Sequence, residues 1–180
     1  MQRILIIATD GFEQSELMEP KRLLEEAGAE VTVASLKPGN IRGWDQKDWG
    51  ESVLVDCVIG DVSVEDYDAL LLPGGQMNPD ILRTEHEVIE IVREFDATGK
   101  PIAAICHAPW LLAEADLIEG RTVTGWPSIR TDLANAGAAV VDEEVVVDGN
   151  FITSRKPGDI PAFTGALMAA LNMESLEERA

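Results

Sequence analysis

Pro101-Ile102-Ala103-Ala104-Ile105-Cys106-His107-Ala108-Pro109-Trp110 is the stretch that decides the fold. An apolar strand, Pro101 to Ile105, runs straight into a cysteine and a histidine, and a helical segment, Trp110 to Ala115, follows at once. That order puts Cys106 on a sharp turn between a strand and a helix. A thiol at a helix N-terminus meets unpaired backbone N–H groups and the positive end of the dipole, and both favour the thiolate. Strand–turn–helix elbows hold nucleophiles in other enzymes for the same reason. Cys106 is therefore read as a reactive thiol and the rest of the chain as its support.

Working outward, Ile4 to Ala8 reads as a buried strand. A helix follows with apolar Leu23, Leu24 and Ala27 and a stop at Gly28. Val31 to Ser35 is the next strand. Residues 37–52, with Gly43-Trp44-Asp45 and Asp48-Trp49-Gly50, read as loop, and a short strand pair is expected from Val53 to Ile59. Ala69-Leu70-Leu71-Leu72 is a continuous apolar run ending in Pro73-Gly74-Gly75, which suits a buried parallel strand. Thr84 and Glu87 have the spacing of a capping box. Val88, Ile91, Val92 and Phe95 recur at helical spacing before Gly99. Pro101 to Ile105 is taken as the central strand. A strand near Val123, a helix over 129–136, a strand pair (Val145 to Val147 and Phe151 to Ser154) and a helix from Pro161 to Leu171 complete the pattern. Alternating strands and helices predict a mostly parallel sheet covered on both faces, an α/β sandwich. One domain is expected over residues 1–172, with a polar tail over 173–180.

The bulk numbers exclude several functions. The 180 residues carry 33 Asp plus Glu against 14 Lys plus Arg, a net charge of −19. Such a surface repels nucleic acid and anionic membranes. It is found in salt-adapted proteins and also suits an ordinary soluble one. Two cysteines make no disulfide framework. The N-terminal apolar stretch is too short for a signal peptide, and no run reaches the roughly 18 residues of a membrane span. A cytoplasmic location with reduced thiols is expected. Neither histidine stands at zinc spacing from another ligand, and no dinucleotide or P-loop glycine motif occurs, so neither metal nor cofactor is expected.

Three segments end at the carboxyl edge of the sheet, where ligands bind in this architecture. They are 8–16, 73–80 and Cys106-His107. His107 suits a base for the thiol, or merely caps and packs on Trp110. Glu13 and Glu16 follow the first strand, with Pro20 suggesting that regular helix starts near it, so that both lie in a loop or first turn. Glu16 is the better placed to reach Cys106, and a buried, protonated carboxyl there would donate to the sulfur. Glu13 would wall the pocket. Gly74 and Gly75 allow a backbone N–H to join that of His107 as an oxyanion hole. Asn78-Pro79-Asp80 reads as a helix start capped by Asn78; Asp80 is equally a carboxylate that orients His107. His86 lies on a charged helix face, and Cys57 reads as a packed, half-exposed thiol.

These segments resemble the PfpI-like intracellular cysteine peptidase family. It has the class I glutamine amidotransferase-like fold and is related to the Parkinson-associated deglycase-type proteins. The resemblance rests on Asp10-Gly11-Phe12-Glu13…Glu16-Leu17, Ala69 to Gly75, Ala104-Ile105-Cys106-His107-Ala108-Pro109, and Val145 to Asn150 with Thr153-Ser154-Arg155. It covers roughly residues 3–171. It implies a flavodoxin-like three-layer sandwich, Cys106 as nucleophile and His107 as base. It also implies homodimers or hexamers in which a neighbouring subunit supplies a carboxylate. That residue is usually Glu; the matching position here is Asp80, in a loop one residue longer. Ala108 stands where glycine is usual and would narrow the pocket. The implied activity is that of a cysteine-dependent hydrolase acting on short peptides or small carbonyl substrates, of peptidase or of deglycase and glyoxalase type. A redox-sensing stress protein or chaperone, in which oxidation of Cys106 is the function, is the alternative.

Overall fold

The structure is a computed structural model and describes residues 1–175 and 178. In chain order the first half holds strands β1 (Arg3–Ile7) and β2 (Phe12–Glu13), helix α1 (Gln14–Glu26), then β3 (Glu30–Ser35), β4 (Asn40–Asp45), β5 (Asp48–Leu54), β6 (Cys57–Val58) and β7 (Ala69–Leu72). Helices α2 (Met77–Leu82) and α3 (His86–Thr98), strand β8 (Ile102–Ile105) and helix α4 (Pro109–Glu114) follow. The chain continues with β9 (Thr122–Val123), α5 (Arg130–Asn135), β10 (Ala139–Val140), β11 (Val146–Asp148), β12 (Phe151–Ser154) and α6 (Ile160–Ala170).

Seven strands form the main sheet in the order β11-β12-β8-β7-β1-β3-β6. All pair in parallel except β11 with β12. Alternation along β1 shows how the layers are built. Leu5 and Ile7 face α3 and α4, packing with Val88, Val92, Phe95, Leu111 and Leu112. Ile4 and Ile6 face α1 and α6, packing with Leu17, Leu24, Phe163 and Leu167. Strands β7 and β8 are buried at every position, which explains why their sequences read as unbroken apolar runs. This is the flavodoxin-like sandwich.

The structure corrects several local expectations. Residues 40–54 form an antiparallel hairpin, β4 with β5, instead of loop; Trp44 and Trp49 stand opposite each other across it. β5 therefore does not pair with β6, which pairs with β3. Helix α1 begins at Gln14, and Pro20 lies inside it. Proline lacks the N–H that would bond the carbonyl four residues back, that of Glu16, yet the helix continues. No capping box forms at Thr84: Glu85 is the N-cap of α3, and Thr84 donates its hydroxyl to the Ile81 carbonyl. The centre of the sheet is β7, with β8 beside it. Of the tail expected over 173–180, Leu176, Glu177, Arg179 and Ala180 lie outside the described residues.

Candidate active site

Cys106 follows β8 directly and takes φ of +65°, a left-handed conformation that costs a residue with a Cβ about 1–2 kcal/mol. Two backbone bonds hold it there. Its N–H donates to the Ser154 carbonyl at 3.0 Å, and its carbonyl accepts from the Trp126 N–H at 2.8 Å. The elbow is thus pinned by the end of β12 on one side and by the segment after β9 on the other. The side chain is almost wholly buried, with 5% exposed.

The electrostatics differ from the simple helix-dipole expectation. Helix α4 is a short one starting at Pro109, three residues on from the cysteine. The N–H groups that reach the sulfur belong to Gly75 and His107. They favour the thiolate, but burial outweighs them and pushes the thiol up, helped by the charges of Glu16 and Glu13.

Glu16 stands in the first turn of α1 with no exposed surface. Burial, then repulsion from Glu13, pushes its carboxyl up to about 8, so it holds its proton at neutral pH. Its Oε1 accepts from the Gly74 N–H at 3.1 Å. Its Oε2 is buried without a nitrogen or oxygen partner, and the side chain hydrogen-bonds to Cys106. A neutral Glu16 relieves the thiol of one of the charges that oppose its ionisation. Glu13, the N-cap position of α1, is half-buried, and its carboxyl is also pushed up, by burial and then by Asp45.

His107 places Nδ1 3.2 Å from the Cys106 sulfur, so the two sequence neighbours do touch. Its ring stacks on Trp126 (centroids 5.7 Å apart, planes 21° apart) and meets Trp110 edge-on at 5.3 Å. Burial lowers the pKa of the imidazole, leaving it neutral and able to accept a proton.

The glycines are required by close approach. A Cβ on Gly74 would lie 2.6 Å from the Cys106 Cβ and 2.6 Å from Glu16 Oε1. Gly75 has φ of +89°, and a Cβ there would lie 2.5 Å from the Gly11 carbonyl oxygen. The two divide the work: the Gly74 N–H holds Glu16, and the Gly75 N–H points at the sulfur.

Cys106, His107, Glu16, Glu13, Gly74 and Gly75 are therefore brought together; two expected residues are not. Ala108 is completely buried in the core on the α3–α4 face, so it packs the elbow from behind instead of walling a pocket. Asp80 is exposed on α2 and makes no hydrogen bond to His107 within the chain. His86 is exposed and Cys57 half-exposed.

Sequence reading missed three contributors. Asn78 is no helix cap but a fully buried link between loops, considered further below. Trp126 backs the histidine ring. Arg155, next after Ser154, makes a two-pronged ion pair with the buried Asp159, both contacts at 3.0 Å, and reaches Asp142 at 2.9 Å. Arg130 holds the same Asp142 oxygen at 2.9 Å. Asn78 and Arg155 stood in recognised segments, but the Asn-Pro pair pointed to a different role and Thr153-Ser154-Arg155 suggested none for the arginine; nothing marked Trp126. Among the described residues no group of three or more His, Cys, Asp or Glu is arranged to hold a metal. No described helix is long and apolar enough to cross a membrane.

Comparison with known proteins gives the family and the fold. The model of the DJ-1/PfpI family matches residues 2–170. A protein of Pyrococcus abyssi named as a deglycase is 44% identical over 161 residues, which cover 89% of this chain and 94% of the relative. General stress protein 18 of Bacillus subtilis is 44% identical over 172 residues, covering 94% and 98%. Among solved structures, Drosophila melanogaster DJ-1beta superposes with a TM-score of 0.85 at 32% identity, covering 98% of this chain and 92% of the other.

Proposed function

Because the chain belongs to the DJ-1/PfpI family, we propose that it is a cysteine-dependent hydrolase of deglycase type that acts on small carbonyl adducts. The observation that carries this reading is the contact of Cys106 Sγ with His107 Nδ1 at 3.2 Å, on an elbow whose sulfur also meets two backbone N–H groups. The deglycase name of the P. abyssi relative supports the same class.

In this reading neutral His107 takes the thiol proton as the sulfur attacks the carbonyl carbon. The S–C bond forms, the carbonyl π electrons move to oxygen, and the N–H groups of Gly75 and His107 receive the oxyanion. As the oxyanion collapses, the bond from that carbon to the leaving group breaks and the imidazolium gives the departing group its proton; a water, deprotonated by the neutral His107, then hydrolyses the thioester and the thiol regains its proton. Glu16, carrying its own proton, adds no negative charge beside the reacting sulfur. The limited exposure of Cys106 and His107 (5% and 9%) favours a small substrate over an extended peptide. Peptide hydrolysis by the same groups is the neighbouring possibility, which the same assay measures. As the family resemblance implies, the active form is an oligomer in which a carboxylate, Asp80 of a second copy, reaches His107.

Turnover of a methylglyoxal-derived adduct and of a fluorogenic peptide, measured in parallel, tests the proposal. Turnover of the adduct is expected to exceed that of the peptide and to fall to background in Cys106→Ala. Unchanged turnover in Cys106→Ala removes the hydrolase reading. One observation favours a second role. The neutral Glu16, with an unpartnered Oε2 against the thiol, is suited to donate to an oxygen on an oxidised sulfur, as a redox-sensing stress protein would need.

A further inference from the structure

Asn78 is a polar side chain with no exposed surface, on the second residue of a short helix. Its amide is fully engaged in one direction and half in the other. Nδ2 donates to the Pro73 carbonyl at 2.9 Å and to the Gly74 carbonyl at 3.1 Å. Oδ1 accepts from the Thr9 N–H at 2.8 Å. Thr9 follows β1, and Pro73 and Gly74 follow β7. One side chain therefore ties together the ends of the two neighbouring strands whose loops carry Glu16 and the glycines.

Gly74 is where the connection matters. Its carbonyl is bonded by Asn78 and by the Glu13 N–H at 3.2 Å, while its own N–H holds Glu16 Oε1 at 3.1 Å. The same residue has no room for a Cβ between Cys106 and Glu16. The Pro73 carbonyl shares a peptide plane with the Gly74 N–H, and the Gly74 carbonyl shares one with the Gly75 N–H. Losing the Asn78 donors would free the first plane to turn, and the Glu16 bond with it, and would leave the second held by the Glu13 N–H alone. We propose that Asn78 is a positioning residue of the thiol site: through the two peptides on either side of Gly74 it sets the orientation of the donors that meet Glu16 and Cys106. This rests on Cys106 being the reacting group.

The test is Asn78→Asp, made in a Cys57→Ser background so that alkylation reports one thiol. Aspartate keeps an oxygen for the Thr9 N–H but loses both donors to residues 73 and 74. Iodoacetamide alkylation of Cys106 is followed against pH, together with kcat and KM on the adduct. The pH profile of alkylation is expected to move by about half a unit or more, and kcat to fall about tenfold with little change in KM. A purely structural Asn78 would lower the melting temperature and leave the profile where it was; a folded variant with the parent's profile and kcat overturns the proposal. Where that variant does not fold, proton exchange of the Asn78 side-chain amide is measured in the unaltered protein. Slow exchange is expected, and exchange as fast as that of an exposed asparagine overturns the proposal. A parent protein whose Cys106 ignores iodoacetamide at every pH instead defeats the reading of the site itself.

Discussion

At the scale of single residues, the site is a coupling between one carboxyl and one thiol. Glu16 titrates near 8 when folded, against 4.5 for the ordinary side chain. The folded protein therefore keeps a proton that the unfolded chain releases. The stability associated with the neutral form is full below about 4.5 and declines as pH rises towards 8. Glu16→Gln keeps the acceptor for the Gly74 N–H and removes the titration. Urea unfolding should show the variant equal to the parent near pH 4.5 and more stable by a few kcal/mol, order of magnitude, near pH 8. An equal difference at both pH values would mean that Glu16 does not titrate across this range. Cys106 and His107 were legible because they stand side by side at the end of an apolar strand. Asn78 was not, since its partner Thr9 is 69 residues away and the Asn-Pro pair reads locally as a helix start.

At the scale of elements, periodicity read most of the structure and failed where context overrode it. Helix α3 shows the success: Val88, Ile91, Val92 and Phe95 are all buried, and Gly99 caps the helix with φ of +74°. A Cβ at Gly99 would meet nothing within 4 Å, so only the backbone conformation resists substitution. Gly99→Ala should cost about 1 kcal/mol in denaturant unfolding, whereas Phe95→Ala, in the core, should cost about 3–5 kcal/mol. The hairpin of β4 and β5 shows the failure. Its residues alternate weakly and most of β5 is exposed, so the sequence lacks the clear in–out pattern that marks a strand. What stabilises it is lateral: the edge-on pair of Trp44 and Trp49 at 5.5 Å, and Gln14 of α1, which exchanges hydrogen bonds with Glu51. Pro20 misled in the opposite sense, because proline marks a helix start only when nothing upstream is already helical.

At the scale of the whole molecule, the charge of −19 surrounds a core that is otherwise ordinary. Several of its basic residues are tied to acidic neighbours on the surface, as Arg22 is between Glu19 and Glu26. Such exposed pairs contribute little individually. The excess of negative charge then works against the compact state, and salt screens it. The melting temperature should rise between 0.05 and 1 M sodium chloride (about 14 and 3 Å of Debye length). A temperature that falls or stays flat would show that the surface carries no net repulsive strain. The three-layer order of the sheet was readable from the alternation of elements. β9 was anticipated near Val123, but its partner β10 and the short β2 were not, because two-residue strands carry no period to detect.

The two-residue β2 joins distant parts of the molecule. Phe12 and Glu13 pair with Gly43 and Trp44 of the hairpin, and the next residues begin the helix that presents Glu16. The Trp-bearing arm is thus stitched to the turn that faces the sulfur, so the two are expected to move together when the arm is displaced at its outer tip, near Lys47.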